Sequence, residues 1–277
     1  MSQGTRSPEA PLHDGMPALG LGTWENDDPA QCTESVTTAL DAGYRHVDTA
    51  QIYRNEAAVG EGIAAADVDR EDVFLASKVW IDQLAHEDVI DSTRESLNKL
   101  GVESVDLMYV HWPSGAYDPA ETLPAFAELR DRGLIDRIGV SNFEPEHLDA
   151  ATDALGETPF ANQVEMHPLL RQEELREYAD DNDIELVAYS PLARGTVLDD
   201  PTVGEVAEKH DVSAAQVSLA WLREKGVTAI PKATGEDHIR DNLASLELEL
   251  DDENVNAIDT LGRTDRQLNP DFGPDWE

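Results

Sequence analysis

The chain has 277 residues, and its 58 Asp and Glu against 20 Lys and Arg give a formal net charge of −38. A pI near 4.2 argues against nucleic acid as a partner, because phosphate binding needs a basic surface, and against an anionic membrane surface for the same reason. No apolar run is long enough to cross a bilayer, the N-terminus lacks the apolar core of a secretory signal, and Cys32 is the single cysteine. We expect a cytoplasmic protein and a monomer.

The high charge does not indicate a disordered chain, because 40% of the residues are hydrophobic and apolar segments recur throughout. We therefore expect a folded protein with an acidic surface. Only five of the basic residues are Lys, a composition that resembles proteins of salt-loving organisms. At ~1 M salt the Debye length is roughly 3 Å, so such a surface repels itself little. We expect a protein adapted to high salt; an ordinary acidic cytosolic protein is the alternative.

Apolar, β-rich runs alternate with amphipathic segments along the chain. Strands are predicted, in chain order, at Pro17–Gly22 or just after it, Arg45–Thr49, Val73–Lys78, Val105–Val110, Arg137–Ser141, Asn162–Glu165, Leu186–Ser190 and Thr228–Pro231. Helices are predicted between them at Gln31–Ala42, Glu56–Ala65, His86–Leu100, Ala120–Arg132, Pro145–Leu155, Arg171–Asn182, Val203–His210, Ala214–Glu224 and Asp237–Leu246. This alternation indicates a parallel sheet, and about eight repeats over ~250 residues is the size of a (β/α)8 TIM barrel.

No linker divides the chain, so residues 1–277 are predicted to form a single α/β domain. Residues 8–16 are expected to form a short N-terminal hairpin that caps the barrel, and residues 261–277 an irregular C-terminal loop. The alternative is a doubly wound Rossmann fold, which needs a G-x-G-x-x-G turn after its first strand. The segment Gly20-Leu-Gly22-Thr-Trp-Glu does not complete that pattern.

Polar residues stand at the carboxyl ends of the predicted strands, where barrel enzymes place their chemistry. They are Asp48, Lys78, His111, Ser141, Asn142, Gln163, Tyr189, Ser190 and Lys232. Tyr53 follows Asp48 closely, and a nearby Lys78 ammonium is expected to lower its pKa and make it a candidate acid for a carbonyl oxygen. A structural Asp–Lys pair and a packing tyrosine are the alternatives.

His111 ends the strand Val105–Val110 and precedes Trp112. A neutral imidazole there can hydrogen-bond a substrate carbonyl, whereas a buried core histidine is the simpler alternative. We predict no metal site, because no His-x-His pair occurs at a strand end and His46, His111 and His167 lie on different strands.

The segment Gly43-Tyr-Arg-His-Val-Asp-Thr-Ala-Gln-Ile-Tyr-Arg-Asn-Glu-Ala-Ala-Val-Gly60 resembles the first signature of the aldo-keto reductases. Ile138-Gly-Val-Ser-Asn-Phe143 resembles the second, and Ile230-Pro-Lys232 opens the third. The resemblance runs from about residue 12 to residue 271 and is closest to prokaryotic 2,5-diketo-D-gluconate reductase-like members. It implies NAD(P)H-dependent reduction of aldehydes and ketones on a (β/α)8 barrel.

The resemblance assigns the catalytic roles to four residues. Tyr53 would donate the proton, Lys78 held by Asp48 would tune Tyr53, and His111 would orient the carbonyl compound. The cofactor would be bound by Gly22, Thr23, Ser141, Asn142, Gln163, Tyr189, Ser190, Leu192, Arg194, Gly195, Ile230, Lys232, Ala233, Thr234, His238, Asp241 and Asn242.

The chain departs from the family pattern at the adenosine end of this set. Lys232 is present, but Ala233 replaces a hydroxyl residue and His238 replaces an Arg, although Thr234 offers another hydroxyl. Because a planar, permanently charged Arg binds a 2′-phosphate best, we predict NADP(H) with relaxed preference and NAD(H) as an alternative.

Trp24, Trp80 and Trp112 follow strand-end motifs and are predicted to wall a pocket for a small carbonyl substrate. Phe272 and Trp276 in the tail are candidates to cover it. Two other functions stay open: a non-catalytic barrel that only binds the cofactor, which has no need of an acid, and a metal-dependent barrel hydrolase, which the missing His pair disfavours.

Overall fold

The computed structural model describes residues 9–274 and 276, and its central element is a sheet of eight parallel strands in sequence order. An antiparallel hairpin, β1 (Leu12–His13) and β2 (Met16–Pro17), precedes the sheet. The sheet strands are β3 (Leu21–Gly22), β4 (His46–Asp48), β5 (Phe74–Val79), β6 (Val105–Val110), β7 (Ile135–Ser141), β8 (Ala161–Glu165), β9 (Glu185–Tyr189) and β10 (Thr228–Ala229).

The sheet closes on itself between its first and last strands. Parallel bridges join Leu19 to Ala229 and Gly22 to Lys232, and Gly20 N donates to Ala229 O at 2.8 Å. A closed ring of parallel strands with helices outside it is a (β/α)8 barrel, which confirms the predicted fold and rules out the Rossmann alternative. Polar residues at the carboxyl ends of these strands therefore meet at one face.

The helices follow the strands around the outside of the barrel. They are α1 (Pro29–Ala42), α2 (Glu56–Ala65), α3 (His86–Leu100), α4 (Pro119–Asp131), α5 (Pro145–Leu155), α6 (Glu173–Asp181), α7 (Pro201–His210), α8 (Ala214–Glu224), α9 (Glu236–Ala244) and α10 (Asp252–Asp259). Short 3₁₀-helices lie at Gln51–Tyr53, Arg70–Asp72, Ala193–Asp199 and Ser245–Glu247. Every predicted helix is present, but α10 was not predicted; four helices have the predicted bounds, and the other five shift by one or two residues at one or both ends.

Several shifts come from proline at a helix start. Helices α1, α4 and α7 begin at Pro29, Pro119 and Pro201, each after an aspartate whose side chain accepts a hydrogen bond from the first turn. The apolar periodicity predicts these starts one or two residues later. Proline is favoured at the first helical position because the N–H that it lacks would have no partner within the helix there. The C-terminal tail, residues 261–274 and 276, contains neither helix nor strand, as predicted.

The barrel interior is filled by apolar side chains, and a larger apolar shell lies between sheet and helices. The interior cluster contains Met16 from the hairpin together with residues of the strands, such as Leu107 and Tyr109. The hairpin thus closes one end of the barrel, but it pairs Leu12–His13 with Met16–Pro17; Pro8, the predicted first residue, lies outside the described residues. No helix in residues 9–274 is long and apolar enough to cross a membrane.

Candidate active site

The carboxyl ends of three neighbouring strands bring the predicted acid–base residues together. Asp48 ends β4, Lys78 lies near the end of β5, and His111 follows β6 directly. Tyr53 stands on the 3₁₀-helix that follows β4. The four predicted residues therefore surround one point at the open end of the barrel.

Lys78 is fully buried and hydrogen-bonds toward the other members of the site. Its Nζ lies 2.5 Å from Asp48 Oδ1, donates to Thr49 O at 2.9 Å, and lies 3.4 Å from Tyr53 Oη. Burial lowers the pKa of Lys78, while the Asp48 carboxylate opposes this change. The ion pair places a positive charge beside the Tyr53 hydroxyl.

The predicted lowering of the Tyr53 pKa is wrong for this structure. Burial raises the pKa of Tyr53 well above 10.0, and the Asp48 carboxylate and Tyr189 raise it further. The Lys78 charge alone would lower the Tyr53 pKa, but the Asp48 carboxylate offsets that charge and the half-buried phenol loses part of its hydration. Tyr53 therefore holds its proton firmly at neutral pH.

His111 is buried beside Tyr53 and Trp80, whose ring centroids lie 5.8 and 5.0 Å from its own. Burial and the positive charge of Lys78 lower the pKa of His111 well below 6.5. The imidazole is thus neutral at pH 7, and a neutral imidazole has one N–H to donate to a carbonyl oxygen.

A polar cluster on the neighbouring strands adjoins these residues. Asn142 Nδ2 donates to His111 O at 3.1 Å and Ser141 Oγ at 3.0 Å, and Tyr189 Oη donates to Asn142 Oδ1 at 2.9 Å. Gln163 Nε2 donates to Asp48 Oδ2 at 2.8 Å. Asn142, at φ +64°, holds the left-handed conformation that asparagine tolerates better than most residues, which turns the chain sharply after β7.

A cavity of about 390 Å³ opens from Asp48 and Tyr53 toward the loop after β9. The predicted cofactor residues on its wall are Gly22, Thr23, Gln163, Tyr189, Ser190, Leu192, Arg194, Gly195, Ile230 and Lys232. A second cavity of about 280 Å³ is lined by Leu192, Leu198, Ser213, Ala214, Ala215, Lys232, His238, Asp241 and Asn242. Because Leu192, Leu198 and Lys232 line both, the two cavities adjoin.

The predicted residues of the adenosine end differ in their exposure and contacts. Ala233 and Thr234 are not among the residues that line either cavity, whereas His238 lines the second and is exposed. Asp241 accepts hydrogen bonds from Ser213 Oγ at 2.7 Å and Gln216 Nε2 at 2.6 Å, so its carboxylate is held in place.

Lys232 differs from the other lysines in its partners. Lys78, Lys99, Lys209 and Lys225 each form an ion pair with a carboxylate. Lys232 is exposed, and no carboxylate pairs with it within residues 9–274. In so acidic a chain, this leaves one lysine ammonium available to a phosphate at the edge of the cavity.

Arg194 crosses the larger cavity to the loop after β3. Its guanidinium lies 3.0 and 3.3 Å from the two carboxylate oxygens of Glu25 and 4.8 Å from the centroid of the Trp24 ring. Both Arg194 and Gly195 have positive φ, +51° and +100°, which bends the 3₁₀-helix at this point. Glu25 was not predicted, because a further acid in an acidic chain gives no signal.

A cleft of about 190 Å³ lies on the other side of Tyr53 and His111. It is lined by Trp24, Ile52, Tyr53, Trp80, His111, Trp112, Ser141, Asn142, Gln163, Tyr189, Leu268, Pro270 and Phe272. The three predicted tryptophans thus share one cleft. Phe272 lies 5.7 Å from Trp80 and 5.4 Å from Trp112 between ring centroids, and Trp276 lies 6.3 Å from Trp112.

Residues 18–263 match the model of the aldo/keto reductase family. The chain belongs to the aldo/keto reductase family. It is 42% identical to an aldo-keto reductase of Mycolicibacterium smegmatis over 96% of this chain and 97% of that protein. It is 41% identical to a glyoxal reductase of Bacillus subtilis, over 94% and 95% of the two chains.

Two solved structures share the fold at similar length. A proposed 2,5-diketo-D-gluconic acid reductase B superposes with a TM-score of 0.92 at 38% identity over 97% of each chain. An aldo-keto reductase of Bombyx mori in complex with NADP has a TM-score of 0.87 at 33% identity over 94% and 95% of the chains. As an aldo/keto reductase, this chain is an oxidoreductase of the family that reduces carbonyl compounds with NAD(P)H.

The sequence of this aldo/keto reductase did not point to several residues that line its cavities. Leu198, Ser213 and Leu268 contribute apolar or hydroxyl surface, and such residue types carry no chemical signature. No cluster of three or more His, Cys, Asp or Glu side chains suited to a metal ion occurs within residues 9–274.

Proposed function

We propose that this protein reduces small aldehydes and ketones to alcohols with NAD(P)H, and that Tyr53 donates the proton. The observation that carries the proposal is the Tyr53 hydroxyl at the junction of two cavities, 3.4 Å from Lys78 Nζ. One of these cavities continues into a second one through the shared residues Leu192, Leu198 and Lys232, and the other is an aromatic cleft. The family membership and the named reductases among the relatives support the same reaction.

The chemistry of the two adjoining cavities fits a dinucleotide. In the first cavity the phenol ring of Tyr189 offers a flat face, the Gln163 side chain offers an amide, and Arg194 and Lys232 offer positive charge. Ser141 and Asn142 lie on the wall of the adjacent aromatic cleft and would add a hydroxyl and an amide at the nicotinamide end. Asp241 lines the second cavity at the adenosine end. When bound, the reduced nicotinamide supplies a hydride to the carbonyl carbon.

The residues of the chain would handle the proton. Neutral His111 donates a hydrogen bond that orients the carbonyl oxygen toward Tyr53 Oη. The O–H bond of Tyr53 breaks as its proton passes to that oxygen, and the phenolate left behind is stabilised by Lys78 Nζ. Because burial raises the pKa of Tyr53, this nearby ammonium matters most once the proton has left.

The preference between NADPH and NADH would be weak. Lys232 supplies one charge for a 2′-phosphate, but Ala233 and His238 stand where a hydroxyl and a permanent positive charge would strengthen the preference. We expect the ratio of kcat/KM for the two cofactors to stay below about 100, which corresponds to about 2.7 kcal/mol. A larger preference for NADPH would refute this part of the proposal.

Tyr53→Phe tests the assignment of the acid. The variant keeps the ring and removes the hydroxyl, so we expect cofactor affinity measured by calorimetry to stay within about twofold while kcat falls by about 10² to 10⁴. Unchanged turnover would refute the role of Tyr53. Wild-type protein that binds NADPH but reduces no member of a carbonyl panel, from low to multimolar salt, would instead favour the non-catalytic alternative. Cytoplasmic location, monomeric state and adaptation to high salt stay predictions.

A further inference from the structure

Glu165 ends β8 with a carboxylate that is fully buried yet bonded to the C-terminal tail. Its Oε1 accepts a hydrogen bond from Gln267 N at 2.6 Å, and its Oε2 accepts one from Leu268 N at 2.8 Å. His167 Nε2 lies 2.9 Å from Oε1. One side chain thus holds two consecutive backbone N–H groups that are about a hundred residues away in sequence.

A carboxylate is the group that this contact requires. Burying a charge is costly unless hydrogen bonds satisfy it, and here both oxygens have donors. A glutamine at this position would offer one acceptor oxygen, and its NH₂ group could not accept from the second backbone N–H.

The tail held in this way becomes a wall of the aromatic cleft. Leu268 lines the cleft, and its backbone N–H donates to Glu165 Oε2. Pro270 and Phe272 follow on the same wall, and the Phe272 ring contacts Trp80 edge to face. The position of this wall therefore depends on where residue 268 is fixed.

The same strand also contacts the end of the cleft where Asp48, Lys78 and Tyr53 lie. Gln163, two residues before Glu165 and on the same face of β8, donates to Asp48 Oδ2 at 2.8 Å. Through β8, the distance between the tail and the Asp48–Lys78–Tyr53 group is set by a rigid strand.

We propose that Glu165 is a positioning residue that fixes the tail as the far wall of the cleft and so sets the preference for bulky, aromatic carbonyl compounds. The proposal rests on the reduction proposed above. A substrate of two or three carbons occupies the end near Tyr53 and His111, whereas an aromatic aldehyde extends toward Phe272 and gains contact with the wall.

Glu165→Gln tests this, with Glu56→Gln as the matched control. Glu56 is also buried, but its Oε1 accepts from Ser77 Oγ at 2.8 Å, away from the tail. In the full-length chain we expect Glu165→Gln to speed hydrogen exchange at the Gln267 and Leu268 amides by about tenfold or more. We expect KM for benzaldehyde to rise roughly fivefold at unchanged kcat, with both constants for glyoxal unchanged.

Unaltered exchange at these two amides in Glu165→Gln, or an equal acceleration in Glu56→Gln, would overturn the proposal. Equal changes in KM for both substrates would overturn its specificity part. Should the variant fail to fold, the wild-type chain decides: the Gln267 and Leu268 amides must exchange at least about tenfold more slowly than those of Asn269 and Asp271. Since exchange needs no turnover, its result stands even if the proposed reduction fails.

Discussion

Lys78 Nζ lies 2.5 Å from Asp48 Oδ1, and both side chains are buried at the open end of the barrel. Neither charge has access to water, so each depends on the other and on Thr49 and Gln163 for its remaining hydrogen bonds. The contribution of the pair to the free energy of unfolding is therefore lost when either partner is removed.

A double-mutant cycle measures this dependence. We expect Asp48→Asn and Lys78→Met each to lower the free energy of unfolding by about 3–5 kcal/mol, because each leaves a buried charge or its donors without a partner. The double variant is expected to lose less than the sum of the two. Urea denaturation at constant salt gives the three values, and strictly additive losses would contradict the coupling.

The depressed pKa of His111 makes the stability of the protein depend on pH. The unfolded chain takes up a proton near pH 6.5 and the folded chain does not, so the free energy of unfolding falls as the pH drops below about 6.5 and levels off above it. His111→Gln removes this contribution, worth up to about 1.4 kcal/mol per pH unit. Denaturation curves measured from pH 5 to 8 should show that the free energy of unfolding depends less steeply on pH in the variant. An identical dependence would mean that another group takes up the proton on unfolding.

For two buried tyrosines we expect substitution by Phe to change the stability in opposite directions. Tyr44 Oη donates to Ile239 O at 3.2 Å, whereas Tyr109 Oη lies near the Gln163 side chain but forms no hydrogen bond of good geometry within the part of the chain that the structure describes. Tyr44→Phe is therefore expected to cost about 1 kcal/mol of stability, and Tyr109→Phe to be neutral or stabilising, since it removes an unsatisfied hydroxyl. Thermal unfolding of the two variants side by side checks this, and the reverse order would show that the Tyr109 hydroxyl is bonded.

The Glu25–Arg194 pair spans the cavity assigned to the cofactor, so Glu25 competes with phosphate for Arg194. Glu25→Gln removes that competitor and one negative charge, and we expect roughly threefold tighter NADPH binding in low salt. The gain should shrink as salt rises. Glu173→Gln, which breaks the exposed pair with Arg171, is the control. Weaker binding after Glu25→Gln would mean that the pair holds Arg194 in place instead.

The net charge of −38 predicts that salt stabilises the fold. Raising the ionic strength from about 0.1 M to about 1 M shortens the Debye length from ~10 Å to ~3 Å and reduces repulsion among the surface carboxylates. The midpoint of urea denaturation should therefore rise, equally in NaCl and KCl if screening is the cause. A midpoint that falls or stays constant would contradict adaptation to salt.

The sequence predicted the parts of the fold that local patterns determine. Uniformly apolar strands and amphipathic helices identified the barrel, and Asp48, Lys78 and His111 were found because strand ends converge in this fold. Helix Asp252–Asp259 was missed because its residues are mostly polar, and a tertiary contact of Lys209 and His210 with Asn254 holds it instead.

The remaining features depend on contacts between distant residues. Glu25 and Arg194 are 169 positions apart, and Glu165 and Gln267 are 102 apart, so no local spacing indicates either pair. The Tyr53 pKa was predicted in the wrong direction because desolvation depends on packing, which a single sequence does not quantify.

The aromatic walls of the cleft give this protein an internal optical probe. Trp24, Trp80, Trp112 and Trp276 lie in or beside the cleft, whereas Trp221 is buried outside it and donates to Asp259. Four of the five tryptophans therefore lie where ligands would bind, and only Trp221 gives a background that a ligand would not alter. Titrations of cofactor or inhibitor can be followed by intrinsic fluorescence, without a label and at any salt concentration.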